Sequence, residues 1–160
     1  TRRSSDLVMG AGGATRGALL PILSQGPAEL VIVNRTVSKA QELAAIAQKH
    51  NPGAVPVRGI GYGELQGATF DVVFNATSAS LTAQVPPLSS RAFAPGALAY
   101  ELAYGKGLTP FLKLAQQAGV TRLADGVGML AEQAAEAFLW WRGVRPDTRA
   151  VIDTLTVPLV

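Results

Sequence analysis

Short apolar runs alternate with helical stretches along the whole chain, and the first run stops at a cluster of glycines. Leu7 to Met9 is that first run. Leu30-Val31-Ile32-Val33 is a second, ending at Asn34, and Val55 to Ile60 a third, which Pro56 places near a sheet edge. Phe70 to Asn75, Ala97 to Leu102 and Arg122 to Ala124 read as three more. Between them, Ala14 to Gln25 reads as a helix with Leu19, Leu20 and Leu23 on one face. Thr36 to His50 is a second helix, with Leu43, Ile46 and Ala47 at helical spacing. Pro110 to Ala118 has proline in its first turn and Gly119 as its stop. Met129 to Trp141 and Pro146 to Leu155 complete the set. Strands that are apolar on both faces and separated by helices predict an α/β fold. The expected form is a doubly wound, Rossmann-like parallel sheet with helices on both faces.

The chain has 160 residues, one domain's worth. Only 16% are charged, against a usual share of about 25%, so some apolar surface is expected to meet a partner. There is no cysteine, which excludes disulfides, thiol nucleophiles and cysteine-based zinc sites. His50 is the single histidine, and it sits at a helix end, where its charge suits the dipole. No metal constellation is visible, and no apolar run approaches the ~18 residues of a membrane span. The net charge is +3, and Arg and Lys are scattered without interleaved aromatics, so neither nucleic acid nor membrane is an expected partner. The chain opens on Thr1 rather than Met, from which we expect that an upstream segment has been removed.

Gly10-Ala11-Gly12-Gly13-Ala14 follows the first strand and opens the first helix. One glycine turns the chain, and another lets the backbone approach a pyrophosphate, which then rests on free helix N–H groups. Thr15 stands where the common fingerprint has its third glycine. An ordinary strand-to-helix turn is the alternative. The strand-loop-helix context is what the dinucleotide fingerprint requires. At the end of the second strand an NAD site usually carries an acid on the ribose 2′-OH. Here stand Asn34, Arg35 and Thr36, followed by Lys39, so no carboxylate repels a 2′-phosphate. Arg35 can stack on adenine and bind phosphate. Thr36 can donate a hydrogen bond while capping the next helix, and Lys39 lies one turn along on the same side. The alternative is that Arg35 and Lys39 are solvated surface charges.

These segments, taken with others in order, are similar to a known family. Asn75-Ala76-Thr77-Ser78, Tyr104 through Thr109-Pro110-Phe111-Leu112, Asp125-Gly126-Val127-Gly128-Met129-Leu130, Gln133-Ala134-Ala135 and Trp141-Arg142-Gly143 follow the glycine loop and Asn34-Arg35-Thr36. Together the chain resembles the NADP-binding domain of shikimate dehydrogenase across nearly its whole length. The resemblance implies reduction of 3-dehydroshikimate to shikimate with NADPH, a cytoplasmic step toward the aromatic amino acids. It implies that Gly10, Ala11, Gly12, Gly13 and Ala14 hold the pyrophosphate, and that Asn34, Arg35, Thr36 and Lys39 hold the 2′-phosphate. Thr77 and Ser78 would lie at the carboxyl edge of the sheet. Leu102 and Gly126 would line the nicotinamide end, and Tyr104 and Gln133 would contact substrate.

The chain departs from the family pattern at Ser80, where glycine is usual, and at Glu101, where aspartate is usual. The family's catalytic lysine and aspartate lie in a substrate domain ahead of the glycine loop, and only six residues precede Leu7 here. We therefore expect a cofactor domain whose N-terminal substrate domain is missing, which binds NADP and is inactive alone. The alternatives are a non-catalytic NADP-binding module and an NAD-preferring quinate/shikimate dehydrogenase. Asp71 and Asp125 carry no mark of an acid–base pair, and nothing near Lys106 suggests the burial that would make it one. Met129, Leu130, Gln133, Ala137 and Trp141 are expected to share one helix face, with Gln133 a polar group in an apolar stripe. Trp140 and Trp141 read first as packing residues. Loss of a substrate domain would expose apolar area beside that helix, so a homo-oligomer or looser association is expected.

Overall fold

The computed structural model describes residues 3–51, 55–79, 84–85 and 87–159. Among these described residues six parallel strands form one sheet: β1 (Ser5–Met9), β2 (Glu29–Val33), β3 (Val57–Ile60), β4 (Phe70–Asn75), β5 (Phe93–Glu101) and β6 (Arg122–Ala124). Their order is β3-β2-β1-β4-β5-β6. The expected doubly wound sheet is therefore present, and β3 is an edge strand as Pro56 required. The order reverses between β1 and β4. That reversal opens a crevice at the carboxyl ends of the strands, where such sheets bind ligands.

The apolar runs are apolar because both faces of the sheet are covered. Leu7 and Met9 of β1, with Val31 and Val33 of β2, join Phe111, Leu112 and Ala115 of α3 (Pro110–Gln117) in one core. Val8, Leu30 and Ile32 point the other way. They meet Leu19 and Leu23 of α1 (Gly13–Ser24) and Leu43, Ala44 and Ala47 of α2 (Val37–Lys49). Each fully buried Leu, Ile or Val contributes about 1.5–3 kcal/mol relative to exposure. A single polar replacement on either face of β1 or β2 would therefore be felt. Leu20, expected on the inner face of α1, is 54% exposed and points outward. The glycine at position 59 has a packing reason. A Cβ there would sit 2.2 Å from the Ala40 carbonyl oxygen, so only glycine lets α2 lie against β3.

Two elements begin elsewhere than the pattern predicts. β5 starts at Phe93 rather than Ala97, because Pro95 and Gly96 (φ +76°) let the chain step through a register shift against β4 and still pair. The last helix, α5 (Arg149–Leu155), starts three residues after Pro146. Arg145 donates to Glu132 and Glu136 of α4 (Val127–Arg142), and Thr148 donates to Glu132, so residues 145–148 are pinned to α4 ahead of the last helix. Hydrogen bonds from Thr148 and Arg145 hold the Glu132 carboxyl below its usual range. The short 3-10 turns Tyr62–Leu65 and Ser90–Ala92 had no signature that the apolar pattern could report.

At the opposite end of the sheet from the crevice, Asp6 is buried in β1, and its Oδ1 has no hydrogen-bond partner among the described residues. Burial raises its pKa. A hydrogen bond from Ser4 offsets part of this, and the charge of Asp71 adds to the rise. A raised native value means that the folded chain holds the proton more tightly than the unfolded one. This contribution favours folding below the ordinary carboxylate value and is lost as pH rises through the raised native value. Asp6→Asn is therefore expected to raise the urea midpoint at about pH 7 and to change it little at about pH 4. Equal midpoints of variant and parent at both pH values would contradict this account.

Candidate functional site

The loop after β1 turns at Gly10, whose φ of +101° suits glycine alone. A Cβ there would stand 3.0 Å from the Ala76 carbonyl oxygen and 3.3 Å from Thr77 Cγ2, so the loop lies directly against the segment after β4. Gly12 and Gly13 face open space. Thr15, in place of a third glycine, is fully buried, and its hydroxyl donates to the Gly10 carbonyl at 2.8 Å. The side chain thus closes the loop from within.

Above this loop is a cavity of about 590 Å³. Every residue from Gly10 to Ala14 lines it, with Asn34, Arg35, Thr36 and Lys39 on one side and Thr77 and Ser78 on the other. Three separate stretches of sequence therefore converge on one site, as expected. Thr36 occupies the N-cap position of α2, but its side chain makes no cap hydrogen bond. The expectation of a double role is corrected: its hydroxyl is left for the cavity. Asn34 instead braces the turn, donating from Nδ2 to the Thr36 carbonyl at 3.0 Å.

The pattern did not single out Tyr62, which also lines the cavity. Burial raises the pKa of its phenol, and the charge of Arg35, which lines the same cavity, offsets part of the rise. The available signal was an aromatic between two glycines just past the third strand. Ala79, Gln84, Val85 and Pro87 complete the far wall. Ser80 lies outside the described residues.

The other expected site residues lie beyond this cavity. Leu102 and Gly126 meet each other: a Cβ on Gly126 would fall 2.1 Å from the Leu102 carbonyl oxygen. Tyr104 is half exposed in the loop after β5, which Asp125 ties down by accepting from the Gly105 amide. Gln133 is exposed on α4. The expected stripe is corrected, because the buried face of α4 is Val127, Ala131 and Ala135. The alanines allow close packing, and the larger Met129 and Gln133 are turned out. Trp140 and Trp141 are 87% and 79% exposed, so they do not pack within the described residues. Met129 and Phe138 of the same helix are exposed as well. Lys106 is exposed, and His50 caps the C-terminus of α2. Glu101 points inward, fully buried, accepting from Asn75 and Thr109.

The cavity suits a phosphorylated nucleotide. Its open glycines would admit a backbone-hugging group that a Cβ would crowd. The first turn of α1 carries no acidic residue and no side-chain cap, so its amides are free to meet an anion. The ionisable side chains among the residues lining it are Arg35, Lys39 and Tyr62, with no carboxylate. The volume is within the usual range of about 300–1,000 Å³ for cofactor pockets. Among the described residues no cluster of His, Asp or Glu could hold a metal ion, and no helix is long and apolar enough to cross a membrane.

Two family profiles match the chain: "Shikimate / quinate 5-dehydrogenase" over residues 2–85 and "Shikimate 5'-dehydrogenase C-terminal domain" over residues 126–156. A curated relative from Nitrosospira multiformis, "Shikimate dehydrogenase (NADP(+))", is 54% identical over 93% of this chain and 53% of its own length. Another of the same name from Dechloromonas aromatica is 53% identical over 96% of this chain and 55% of its own. The chain thus spans about half the length of the curated relatives it matches. A crystal structure of an Ael1 enzyme from Pseudomonas putida is 60% identical, with a TM-score of 0.90 over 99% of this chain and 57% of that one.

Proposed function

Because the chain belongs to the shikimate dehydrogenase family, we propose that residues 1–160 form its NADP-binding domain and that the whole enzyme reduces 3-dehydroshikimate to shikimate. One observation carries the cofactor reading. Arg35, Thr36 and Lys39 gather at the end of β2 in a cavity whose lining holds no carboxylate. That end of β2 is where a ribose 2′-OH or a 2′-phosphate is distinguished.

In this reading the amides of Gly10 to Ala14 hold the pyrophosphate, and Asn34, Arg35, Thr36 and Lys39 hold the 2′-phosphate. Tyr62 and Arg35 flank the adenine, and Thr77 and Ser78 steady the phosphates from the β4 side. Leu102 and Gly126 shape the nicotinamide end. Tyr104 and Gln133, both turned to solvent, would meet shikimate or its ketone across the cleft. The bound cofactor supplies the hydride. The chain's own part is to orient it and to discriminate its 2′-phosphate.

We propose also that these residues alone bind without turnover and work with the family's N-terminal substrate domain in the cytoplasm. The cavity lining offers cations, hydroxyls and amides, and among the described lining residues no carboxyl or imidazole stands ready to move a proton. The absence of an acid at the β2 end counts against the NAD-preferring quinate/shikimate alternative. The test is thermal unfolding of the 160-residue chain with each cofactor. NADP at about a hundred times its Kd should stabilise by about 2.7 kcal/mol and raise Tm. NADP that leaves Tm unmoved at millimolar concentration would overturn the reading. Reduction of NADP by shikimate with this chain alone would overturn the prediction of inactivity.

A further inference from the structure

Beneath the cavity floor two polar side chains are fully buried side by side. Asn75, the last residue of β4, and Glu101, the last of β5, are register partners, and both are 0% exposed. Buried polar groups are retained where hydrogen bonds satisfy them. Asn75 Nδ2 donates to Glu101 Oε2 at 2.9 Å. Asn75 Oδ1 accepts twice from Thr77, from the backbone amide at 3.2 Å and from the hydroxyl at 2.7 Å. The Thr77 oxygen in turn accepts from the Ala79 amide, so the whole 77–79 wall hangs from Asn75.

Thr77 is also the residue whose Cγ2 faces Gly10, the pivot of the glycine loop. On the other side, Glu101 accepts from the Ala103 amide at 3.3 Å and from the Thr109 hydroxyl at 3.0 Å. Thr109 is the N-cap of α3, accepting from the Leu112 amide. The loop that carries Tyr104 is thus fastened to Glu101 at both of its ends.

We infer that Asn75 and Glu101 are positioning residues, a buried pair that sets Thr77 against the glycine loop and ties that wall to the loop bearing Tyr104. The inference rests on the cofactor reading above and deepens it. Neither residue lines the cavity, so each acts through Thr77. Among the described residues none of the pair's hydrogen bonds reaches residues 34–39, the Arg35 end of the cavity. A ligand that fills the whole cavity should therefore feel the pair, and one that fills only the Arg35 end should not.

The experiment is calorimetric titration of the full 160-residue chain with NADP and, separately, with adenosine 2′-phosphate. Glu101→Gln sets an amide donor against at least one of the donors Asn75, Ala103 and Thr109 that reach the carboxyl among the described residues. It should weaken NADP about fivefold, the worth of about one net hydrogen bond, and leave adenosine 2′-phosphate unchanged. A merely structural role would shift both ligands equally or neither, and either result overturns the inference. If Glu101→Gln does not fold, Asn75→Ser, which keeps a hydroxyl near the same place, reads the same comparison. A parent chain that binds neither ligand would instead defeat the cofactor reading, and this inference with it.

Discussion

Gly126→Ala is expected to destabilise the chain by about 3 kcal/mol, the upper part of the range for forced overpacking. The new Cβ would stand 2.1 Å from the Leu102 carbonyl oxygen and 2.9 Å from its carbon. Both are backbone atoms. Leu102 cannot yield easily, because its amide donates to the Asn75 carbonyl at 2.9 Å, and Gly126 itself donates to the Ala103 carbonyl at 3.1 Å. The clash therefore pushes apart the end of β5 and the start of α4. Gly128→Ala is the control. A Cβ there meets nothing within 4 Å, and alanine inside a helix is favoured over glycine by about 0.5–1 kcal/mol. The same substitution two residues apart should change stability in opposite directions, read from urea midpoints. A Gly126→Ala chain as stable as its parent would show that the tight approach of Gly126 to Leu102 is not obligatory.

Arg35→Ala is expected to weaken NADP about tenfold and NAD much less, since only the adenine contact is common to both. A charge-assisted contact to phosphate contributes about 1.5–3 kcal/mol, and solvent access to Arg35 places the effect at the low end. The loss should shrink as salt rises, because exposed charges are screened over about 10 Å at 0.1 M ionic strength. Arg35→Asp goes further. It supplies the acid that an NAD site carries at this strand end, so the preference should fall by more than the alanine variant's tenfold and move toward NAD. Equal weakening of both cofactors by Arg35→Ala would mean that the guanidinium stacks on adenine alone and does not read the 2′-phosphate.

The fold was legible because parallel strands covered on both faces leave an unmistakable trace. Val31 and Ile32 are adjacent, both apolar, and buried in different cores. The glycine loop was legible because its backbone must do what a Cβ forbids. The cavity lining at 34–36 and 39 was legible from its place at the end of the second strand after a glycine loop, and 77–78 from the family resemblance. What escaped the sequence was tertiary in origin. Met129, Gln133 and Trp141 read as one apolar stripe, but small residues let α4 pack closely through Ala131 and Ala135 instead. Periodicity ranks positions by hydropathy and does not register that a narrow alanine face can win. The start of α5 was misplaced because Thr148 and Arg145 are held by Glu132, a contact between residues far apart in sequence. Asn75 read as a strand end and Glu101 as a slightly long aspartate. Only the register that sets them side by side reveals a buried pair.

The central claim is that the cavity over the glycine loop selects a 2′-phosphorylated dinucleotide. Side-by-side calorimetric titration of the 160-residue chain with NADP and NAD tests it most directly. The account predicts NADP at least tenfold tighter, a difference of about 1.4 kcal/mol. Equal affinity, or NAD the tighter of the two, would contradict it and turn Arg35, Thr36 and Lys39 back into ordinary surface residues.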